Sequence, residues 1–276
     1  GTTDLIVSEV AFGVWTVATG WWGKVEKDDA VRLLRNAVEQ GVTLFDTADT
    51  YADGYGEEIL RDAFPKQKRQ DVIIGTKFGY DLKTERWGHH KERRQRWDPE
   101  FIREACEDSL RRLGTDYVDL YQLHNPRLDT VNDDLVFETL DALVKEGKIR
   151  HYGVALGPDI GWQAEGKAAM DERHIQSLQI IYSIIEQQPA RAFFPTAHAN
   201  ETGLLARVPH ASEILTDEFT NQVKVEFDAS DHRAHRKQEW LDTAFEKRSR
   251  VLFIAEQTGR SLAQAAIQFC LSEPRI

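Results

Sequence analysis

Short apolar runs that alternate with amphipathic helical segments are the feature that most constrains how this chain folds. The runs are rich in Val, Ile, Leu and Phe, and each has the length of a strand rather than of a helix. Near-continuous apolar strands separated by helices are typical of a parallel sheet covered on its faces. In chain order the seven runs are SEVAFG (8–13), TLFDTA (43–48), DVIIGTKF (71–78), YVDLYQLH (117–124), HYGVALG (151–157), SLQIIYS (177–183) and TGLLARVP (202–209). The sequence therefore predicts an α/β protein built on parallel strands.

The helical segments between the runs carry clear start and stop signals. An apolar stripe begins after Asp98, which can cap a helix, and ends at Gly114. Earlier in the chain, Asp28 or Asp29 opens a second helix whose inward face is expected to include Leu33. A capping carboxylate satisfies the first free N–H groups of a helix, and glycine readily takes the left-handed conformation that ends one. These segments are predicted to cover the sheet.

The length of the chain, 276 residues, suits one barrel of alternating strands and helices or two smaller domains. No break in composition favours two, so we predict a single (β/α)8 TIM barrel domain over residues 1–276. The last helical signal, SLAQAAIQFCLS, is followed only by EPRI. The barrel is therefore expected to be truncated before its eighth strand and C-terminal tail, and its N-terminal hairpin is expected to be incomplete.

Composition and charge exclude several classes of function. The net charge of −11 argues against a nucleic-acid partner, because such proteins usually present a basic face. No segment approaches the ~18 consecutive apolar residues of a membrane span, and no leader peptide opens the chain. Cys106 and Cys270 fall in helical patterns, so we expect free, buried thiols. His232 and His235 have no further ligands nearby, so no metal site is predicted. A soluble, cytoplasmic protein without membrane contact is expected, and its oligomeric state stays open.

Polar side chains stand at or just past the ends of the second, third and fourth apolar runs. Asp46 lies near the end of the second run and Tyr51 just past it, Lys77 is the last residue but one of the third, and His124 ends the fourth. The carboxyl ends of successive parallel strands in a closed sheet meet on one rim, where active sites of barrels lie. Each residue alone has an ordinary explanation, as a cap, a packing aromatic, an extended surface lysine or a core histidine. Their joint occurrence favours a catalytic constellation.

The chemistry of such a constellation can be worked out from the side chains. A tyrosine hydroxyl has an ordinary pKa of about 10 and is a poor acid at neutral pH unless a nearby cation favours its phenolate. Lys77 can supply that cation, Asp46 can keep it charged and aimed, and His124 can hold a substrate oxygen. This set would protonate a carbonyl oxygen while a cofactor delivers a hydride, since no side chain can. A lyase that forms a Schiff base on Lys77 is an alternative, for which the lysine should be desolvated rather than paired.

The motifs around these residues resemble the aldo-keto reductase family. The strings that carry the resemblance are DTADTYADGYGE, IIGTKFGY, DYVDLYQLHNP, AFGVW, EGKIRHYGVALG and GRSLAQAAIQFCL, which together span most of the chain. The resemblance implies a (β/α)8 barrel that uses NAD(P)H to reduce an aldehyde or ketone, a small carbonyl substrate. It makes Tyr51 the general acid, Lys77 and Asp46 the pair that tunes it, and His124 the residue that orients the substrate. A barrel of the same family that has lost turnover and serves in nucleotide sensing or partner binding is the second alternative.

The resemblance also implies contacts for the cofactor at the barrel mouth. The implied set is Asn125, Gln179, Arg207, Val208, Pro209 and Ala211. Three residues differ from the family pattern: Ala155 and Leu156 stand where relatives commonly have Ser-Asn, and Arg207 stands where an aromatic ring often stacks on the nicotinamide. The family segment that recognises the adenosine 2′-phosphate follows the eighth strand and lies outside this sequence. NADPH is therefore the expected cofactor, with NAD as an open alternative.

Tryptophans and two long loops are expected to shape the substrate pocket. The predicted aromatic wall consists of Trp15, Trp21, Trp22 and Trp87. The loops, residues 81–97 and 210–240, follow the third and seventh strands, and long loops on this rim of a barrel usually form the binding pocket.

Overall fold

Seven parallel strands form one sheet in the computed structural model, which describes residues 2–84, 93–157, 162–219 and 238–276. Their order in the sheet is their order in the chain, so each strand pairs with the one before it. The strands are β1 (Phe12–Gly13), β2 (Leu44–Asp46), β3 (Ile73–Phe78), β4 (Val118–His124), β5 (Ile149–Ala155), β6 (Ser177–Ile181) and β7 (Gly203–Arg207). All seven lie within the predicted apolar runs or overlap them, and the prediction of a parallel α/β fold is confirmed.

Helices connect the strands, as the alternating pattern predicts. They are α1 (Trp15–Ala18), α2 (Lys27–Glu39), α3 (Tyr55–Ala63), α4 (Pro99–Leu113), α5 (Leu128–Val131), α6 (Asp134–Lys145), α7 (Gln163–Asp171), α8 (Ala190–Ala199), α9 (Gln238–Ser249), α10 (Leu252–Thr258) and α11 (Leu262–Leu271), with a short 3-10 helix at Arg69–Asp71. Within the described ranges, none of these helices is long and apolar enough to cross a membrane.

The predicted helix signals are confirmed at α4 and partly wrong at α2. The Asp98 carboxylate accepts a hydrogen bond from the backbone N–H of Phe101, and Gly114 closes α4 in the left-handed conformation. Helix α2 begins at Lys27, one or two residues before the predicted start at Asp28 or Asp29. Leu33 is 44% exposed rather than buried. The reason is that the buried stripe of α2 is narrow and built largely from alanines, which leaves Leu33 at its outer edge.

The two cysteines belong to the main hydrophobic core of the protein. Cys106 and Cys270 are buried and free, as predicted. Burial raises the pKa of the Cys106 thiol to about 12 and that of Cys270 to about 11. Both thiols are therefore protonated at neutral pH and unreactive.

The register of the strands sets where polar side chains meet. Asp46 pairs with Gly75 on β3, Lys77 pairs with Gln122 on β4, and His124 pairs with Ala155 on β5. Because side chains alternate between the faces of a strand, residues two apart point the same way. Asp46 is level with Gly75, two residues before Lys77, and Lys77 is level with Gln122, two residues before His124. The three polar side chains therefore point to the same side of the sheet, each nearer to its carboxyl edge than the one before.

Candidate active site

Lys77 lies at the centre of the polar cluster. Its side chain is 1% exposed, and Nζ lies 2.7 Å from Asp46 Oδ2, 2.7 Å from the Thr47 carbonyl oxygen and 3.2 Å from Tyr51 Oη. An ammonium group has three N–H donors, and all three are used here. Burial would lower the pKa of Lys77, but the charge of Asp46 and the Tyr51 phenol outweigh it, so that the pKa lies above the ordinary 10.5. Lys77 is therefore a fixed cation that donates to the oxygen of Tyr51.

Asp46 is held by more than its ion pair. While Oδ2 accepts from Lys77, Oδ1 accepts from Gln179 Nε2 at 2.9 Å and from Gln122 Nε2 at 3.4 Å. Gln122 is wholly buried inside the barrel, and its Oε1 has no hydrogen-bond partner in the part of the chain that the structure describes. Two carboxamides thus fix the orientation of the carboxylate. Sequence reasoning missed Gln122, although a glutamine inside an apolar run is a signal that could have been read.

His124 completes the set at the end of β4. Its ring meets the Tyr51 ring edge to face, with centroids 6.3 Å apart, and its Nδ1 lies 3.5 Å from Thr50 Oγ1. Burial, followed by the charges of Lys77 and Arg207, lowers the pKa of His124 well below 6.5. The imidazole is therefore neutral at neutral pH, with one nitrogen that can donate a hydrogen bond. The structure brings all four predicted catalytic side chains together.

A cavity of about 810 Å³ opens above this cluster. Trp15, Trp21 and Trp22 line it, and the rings of Trp15 and Trp22 meet edge to face at 6.2 Å. Three of the four predicted pocket tryptophans thus border the same space as Tyr51. The fourth, Trp87, lies outside the described residues.

The segment that leads into α4 borders the same cavity. The Arg93 guanidinium makes two hydrogen bonds to the Asp53 carboxylate, at 2.8 and 2.9 Å. Gln95 Nε2 donates to the carbonyl oxygens of both His124 and Asn125, at 3.0 Å each. This segment thereby fixes the backbone at the end of β4, on which His124 stands.

Most of the predicted cofactor contacts reach the cavity. Its lining includes Asn125, Gln179, Arg207, Val208 and Pro209. Asn125 Nδ2 donates to Tyr80 Oη at 2.9 Å, and Arg207 Nη2 donates to the Leu156 carbonyl oxygen at 2.6 Å.

Ala211 is the exception among the predicted cofactor contacts. Its side chain is wholly buried in an apolar cluster with Ile214 and Leu215, so the structure does not place it at the cavity. The loop after β7 turns through left-handed residues at Ala211, Ser212 and Glu213, with φ of 48°, 56° and 68°, and this turn carries the alanine side chain inward.

The donors around the cavity fit a nicotinamide dinucleotide. Gln179 offers an amide suited to a carboxamide, and Arg207 offers a planar cation on the same rim. Val208 and Pro209 begin the turn that follows β7 and also line the cavity, where the phosphates of a dinucleotide would lie near the backbone of this turn. No group of three or more His, Cys, Asp or Glu side chains within the described ranges could hold a metal ion.

A second buried cluster supports the Tyr51 loop from outside the barrel. Glu57 accepts from Thr76 Oγ1 at 2.7 Å and from Arg112 Nε at 2.6 Å. Asp49, only 2% exposed, lies near this pair, and burial, followed by the charge of Glu57, raises the pKa of its carboxyl well above 3.8. Arg112 is bonded to Glu57, and the buried Asp49 carboxyl resists ionisation. Sequence reasoning missed Glu57 because a carboxylate in the first turn of a helix looks like an ordinary exposed one.

Comparison with known proteins shows the family to which the chain is similar. The family model for the Aldo/keto reductase family matches residues 9–276. An uncharacterized oxidoreductase of Bacillus subtilis, YqkF, is 31% identical over 283 residues, which cover 100% of this chain and 83% of that protein.

Solved structures of aldo-keto reductases are also similar to this chain. Aldo-keto reductase AKR11C1 from Bacillus halodurans, in its holo form, is 29% identical with a TM-score of 0.76, covering 100% of this chain and 82% of that one. An aldo-keto reductase from Klebsiella pneumoniae, solved in complex with NADPH, is 27% identical with a TM-score of 0.60, covering 75% of this chain and 66% of that one. The resemblance and the barrel fold predicted from the sequence are confirmed, and the chain belongs to the aldo/keto reductase family.

Proposed function

We propose that this protein reduces an aldehyde or ketone to an alcohol with NAD(P)H, and that Tyr51 is the proton donor. The observation that carries the proposal is the hydrogen bond from Lys77 Nζ to Tyr51 Oη, 3.2 Å long, at the floor of the large cavity. A phenol whose oxygen accepts from a buried ammonium can give up its proton more readily, because the phenolate that remains is stabilised.

Each of the four side chains has a role in the proposed reaction. Tyr51 donates its proton to the carbonyl oxygen of the substrate, and Lys77 stabilises the phenolate. Asp46 keeps the ammonium charged and aimed at Tyr51. The neutral imidazole of His124 holds the same carbonyl oxygen by a hydrogen bond, and thereby orients the carbonyl carbon. The dinucleotide, when bound, supplies the hydride that this carbon accepts.

NADPH is the proposed cofactor, and NADH is the alternative that the assay compares. Its nicotinamide end and the adjacent phosphate would be held by Gln179, Arg207, Val208 and Pro209. Asn125 would lie beside the substrate. The family and the Klebsiella pneumoniae relative solved with NADPH support this choice.

The ion pair between Lys77 and Asp46 argues against the alternative function as a Schiff-base lyase. Schiff-base formation needs a neutral amine, whereas the Asp46 carboxylate 2.7 Å away holds the pKa of Lys77 above 10.5 despite burial. Borohydride trapping with a carbonyl substrate tests the point directly. A covalent adduct on Lys77 would support the lyase and overturn the reductase mechanism.

The decisive experiment follows oxidation of NADPH and NADH with a panel of aldehydes and ketones. We expect Tyr51→Phe to lower kcat by a factor of about 10² to 10⁴, with nucleotide affinity nearly kept. Tyr117→Phe is the matched control, because Tyr117 lies just before β4, away from the cavity lining, with its ring beneath Arg69. Equal rates for the parent and Tyr51→Phe would remove Tyr51 from the mechanism. Nucleotide binding without turnover of any carbonyl would favour the nucleotide-sensing alternative.

A further inference from the structure

Three residues, which we call the clamp, lie around His124 at the end of β4: Tyr80, Gln95 and Asn125. The Tyr80 ring meets the His124 ring at 88°, with centroids 5.2 Å apart. Asn125 Nδ2 donates to Tyr80 Oη at 2.9 Å. Gln95 Nε2 donates to the carbonyl oxygens of His124 and Asn125, at 3.0 Å each. Because His124 and Asn125 are neighbours in the chain, these contacts form a closed circuit that leads from the His124 backbone through Asn125 and Tyr80 back to the imidazole.

The clamp is anchored by the backbone that follows β3. Residues 79–81 pair antiparallel with residues 94–96 through two backbone hydrogen bonds of 2.8 Å each, and Tyr80 lies opposite Gln95 in this pairing. Gly79 makes the turn out of β3 with a φ of 132°, a conformation that is accessible to glycine and rarely adopted by other residues. Two members of the clamp are therefore joined to each other by the main chain as well as by their contacts with β4.

The contacts of the His124 ring define its orientation. Its Nδ1 lies 3.5 Å from Thr50 Oγ1, which leaves Nε2 as the nitrogen available to a substrate. The ring is nearly perpendicular to two phenol rings, that of Tyr51 at 82° and that of Tyr80 at 88°. Perpendicular aromatic pairs are favoured because the positive edge of one ring meets the negative face of the other. Rotation of the imidazole would therefore break two favourable ring contacts at once.

The orientation of this ring matters for carbonyl reduction. This step rests on the proposed function, in which Tyr51 and His124 both donate to the carbonyl oxygen of the substrate. Donors approach a carbonyl oxygen near the directions of its two lone pairs, so the two donors need a fixed angle between them. Lys77 fixes the oxygen of Tyr51 through a hydrogen bond of 3.2 Å. The clamp fixes the second donor, and donors fixed in advance need no reorganisation as charge develops on the oxygen.

We propose that Tyr80 is a positioning residue for carbonyl reduction, which acts by holding the imidazole of His124 at the angle that the substrate oxygen requires. Gln95 supports it by fixing the His124 backbone, and Asn125 supports it by fixing Tyr80 Oη. Loss of Tyr80 leaves the hydrogen bond between Lys77 and Tyr51 in place, so the proton donor is kept while the second donor loses its fixed angle. The loss therefore falls on kcat, and the KM of the nucleotide is nearly kept.

Steady-state kinetics with NADPH and one carbonyl substrate compare the parent with Tyr80→Phe, Tyr80→Leu, Gln95→Met and Tyr152→Phe. Tyr152→Phe is the matched control, because Tyr152 Oη donates to Asp141 Oδ1 at 3.0 Å and its ring meets Phe137, away from the cavity lining. We expect Tyr80→Phe and Gln95→Met to lower kcat by roughly fivefold, since each loses hydrogen bonds of the clamp. Tyr80→Leu, which also loses the ring, should lower kcat by roughly a hundredfold. The control should keep the kcat of the parent, and every variant should keep the KM of NADPH within about twofold.

The same substitutions in a His124→Gln background separate positioning from a general structural role. If Tyr80 acts through His124, its replacement there should lower kcat by less than about twofold. Enzyme in excess over NADPH keeps the slow rate of His124→Gln measurable. An effect of equal size in both backgrounds would show that Tyr80 contacts the substrate or supports the fold instead, and would overturn the proposal. If Tyr80→Leu does not fold, Tyr80→Phe completes the same cycle.

An NMR titration of the His124 imidazole gives a second readout that needs no turnover. The signal of His124 is identified by its loss in His124→Gln. Burial lowers the pKa of His124 well below 6.5, so in the parent the signal should stay constant between about pH 8 and about pH 6. In Tyr80→Leu the ring is free to turn toward water in the cavity, and its signal should shift over this range. An imidazole that stays constant in both proteins overturns the proposal, whereas failure of the proposed function shows up separately, as a parent that reduces no carbonyl compound.

Discussion

Replacing Asp46 with asparagine leaves the buried ammonium of Lys77 without its counter-charge. Lys77 is 1% exposed, and its Nζ lies 2.7 Å from Asp46 Oδ2. Breaking a buried ion pair by removing one partner costs about 3–5 kcal/mol, because the remaining charge is left uncompensated. Lys77 would keep its bonds to the Thr47 carbonyl and the Tyr51 hydroxyl. We therefore expect Asp46→Asn to lower the free energy of unfolding by about 3 kcal/mol, or the melting temperature by about 6–12 °C.

An exposed pair of similar geometry is the matched control. Arg111 Nη2 lies 2.6 Å from Asp108 Oδ1, but the side chain of Arg111 is 72% exposed. We expect Asp108→Asn to cost less than about 1 kcal/mol, since water and salt screen a surface pair. The two substitutions remove the same chemical group at nearly the same distance. Their difference therefore measures what burial adds.

The double variant Asp46→Asn/Lys77→Met tests the assignment to charge rather than to packing. With both charges gone, no ion is left buried, so the loss should be smaller than the sum of the single losses by about 2 kcal/mol. Because Asp46 and Tyr51 outweigh burial and raise the folded-state pKa of Lys77 above 10.5, its contribution is present below pH 10.5 and disappears as the pH rises through the folded-state value. Lys77→Met should remove that alkaline slope.

Urea unfolding followed by tryptophan fluorescence, from neutral pH to about pH 11, measures all of these quantities. Two outcomes would refute the reasoning. One is an equal loss of stability in Asp46→Asn and Asp108→Asn. The other is a double variant whose loss is the simple sum of the two single losses, which would mean that Asp46 and Lys77 are not coupled.

Three further changes have definite expected outcomes. Burial lowers the folded-state pKa of His124 well below 6.5, so only the unfolded chain gains a proton as the pH falls below 6.5. The free energy of unfolding should therefore drop below pH 6.5. In urea-unfolding experiments at a series of pH values, His124→Gln should make this drop smaller. Burial raises the pKa of Asp49 well above 3.8, so the folded state resists ionisation of this carboxyl while the unfolded chain ionises freely, and stability is lost as the pH rises. Asparagine cannot ionise, so Asp49→Asn should raise the free energy of unfolding at pH 7 by about 1 kcal/mol in the same assay. Gln122→Leu removes a bond that orients Asp46, and steady-state kinetics should show kcat lowered by about tenfold with cofactor KM nearly kept; an unchanged kcat would make Gln122 a packing residue.

The predicted cluster could be read from the sequence because one rule of barrel geometry was enough. Parallel strands that neighbour each other bring their carboxyl ends to one rim, so polar groups at the ends of β2, β3 and β4 had to lie near each other. That rule needs only the order of the strands, which the alternating pattern gives. Asp46, Lys77 and His124 all follow from it.

Residues whose surroundings depend on the path of a loop could not be read in this way. Ala211 is adjacent in sequence to the loop residues that line the cavity, yet the left-handed turn after β7 points it into an apolar cluster. Leu33 follows the helical period of α2, but whether it is covered depends on how closely a neighbouring element packs. Spacing along the chain contains no information about either.

Gln179 shows a third kind of limit, in which the position was predicted and the contact was not. The resemblance implies a role toward the cofactor, and the residue does line the cavity. In the structure its Nε2 also donates to Asp46 Oδ1 at 2.9 Å. A pairwise alignment assigns one role to a residue, whereas a side chain with donors and an acceptor can serve two neighbours at once.

This double contact makes Asp46 the link between the two halves of the site. One carboxylate oxygen accepts from Lys77, which donates to Tyr51, the proposed proton donor, and the other accepts from Gln179, which lines the proposed nicotinamide end of the cavity. A shift of Gln179 toward a bound carboxamide would therefore turn the carboxylate that aims Lys77 at Tyr51. Buried polar networks respond as units, because no member can move without leaving another unsatisfied. Gln122 donates to the same oxygen from inside the barrel at 3.4 Å, so we expect it to oppose that rotation and to keep the carboxylate aimed at Lys77.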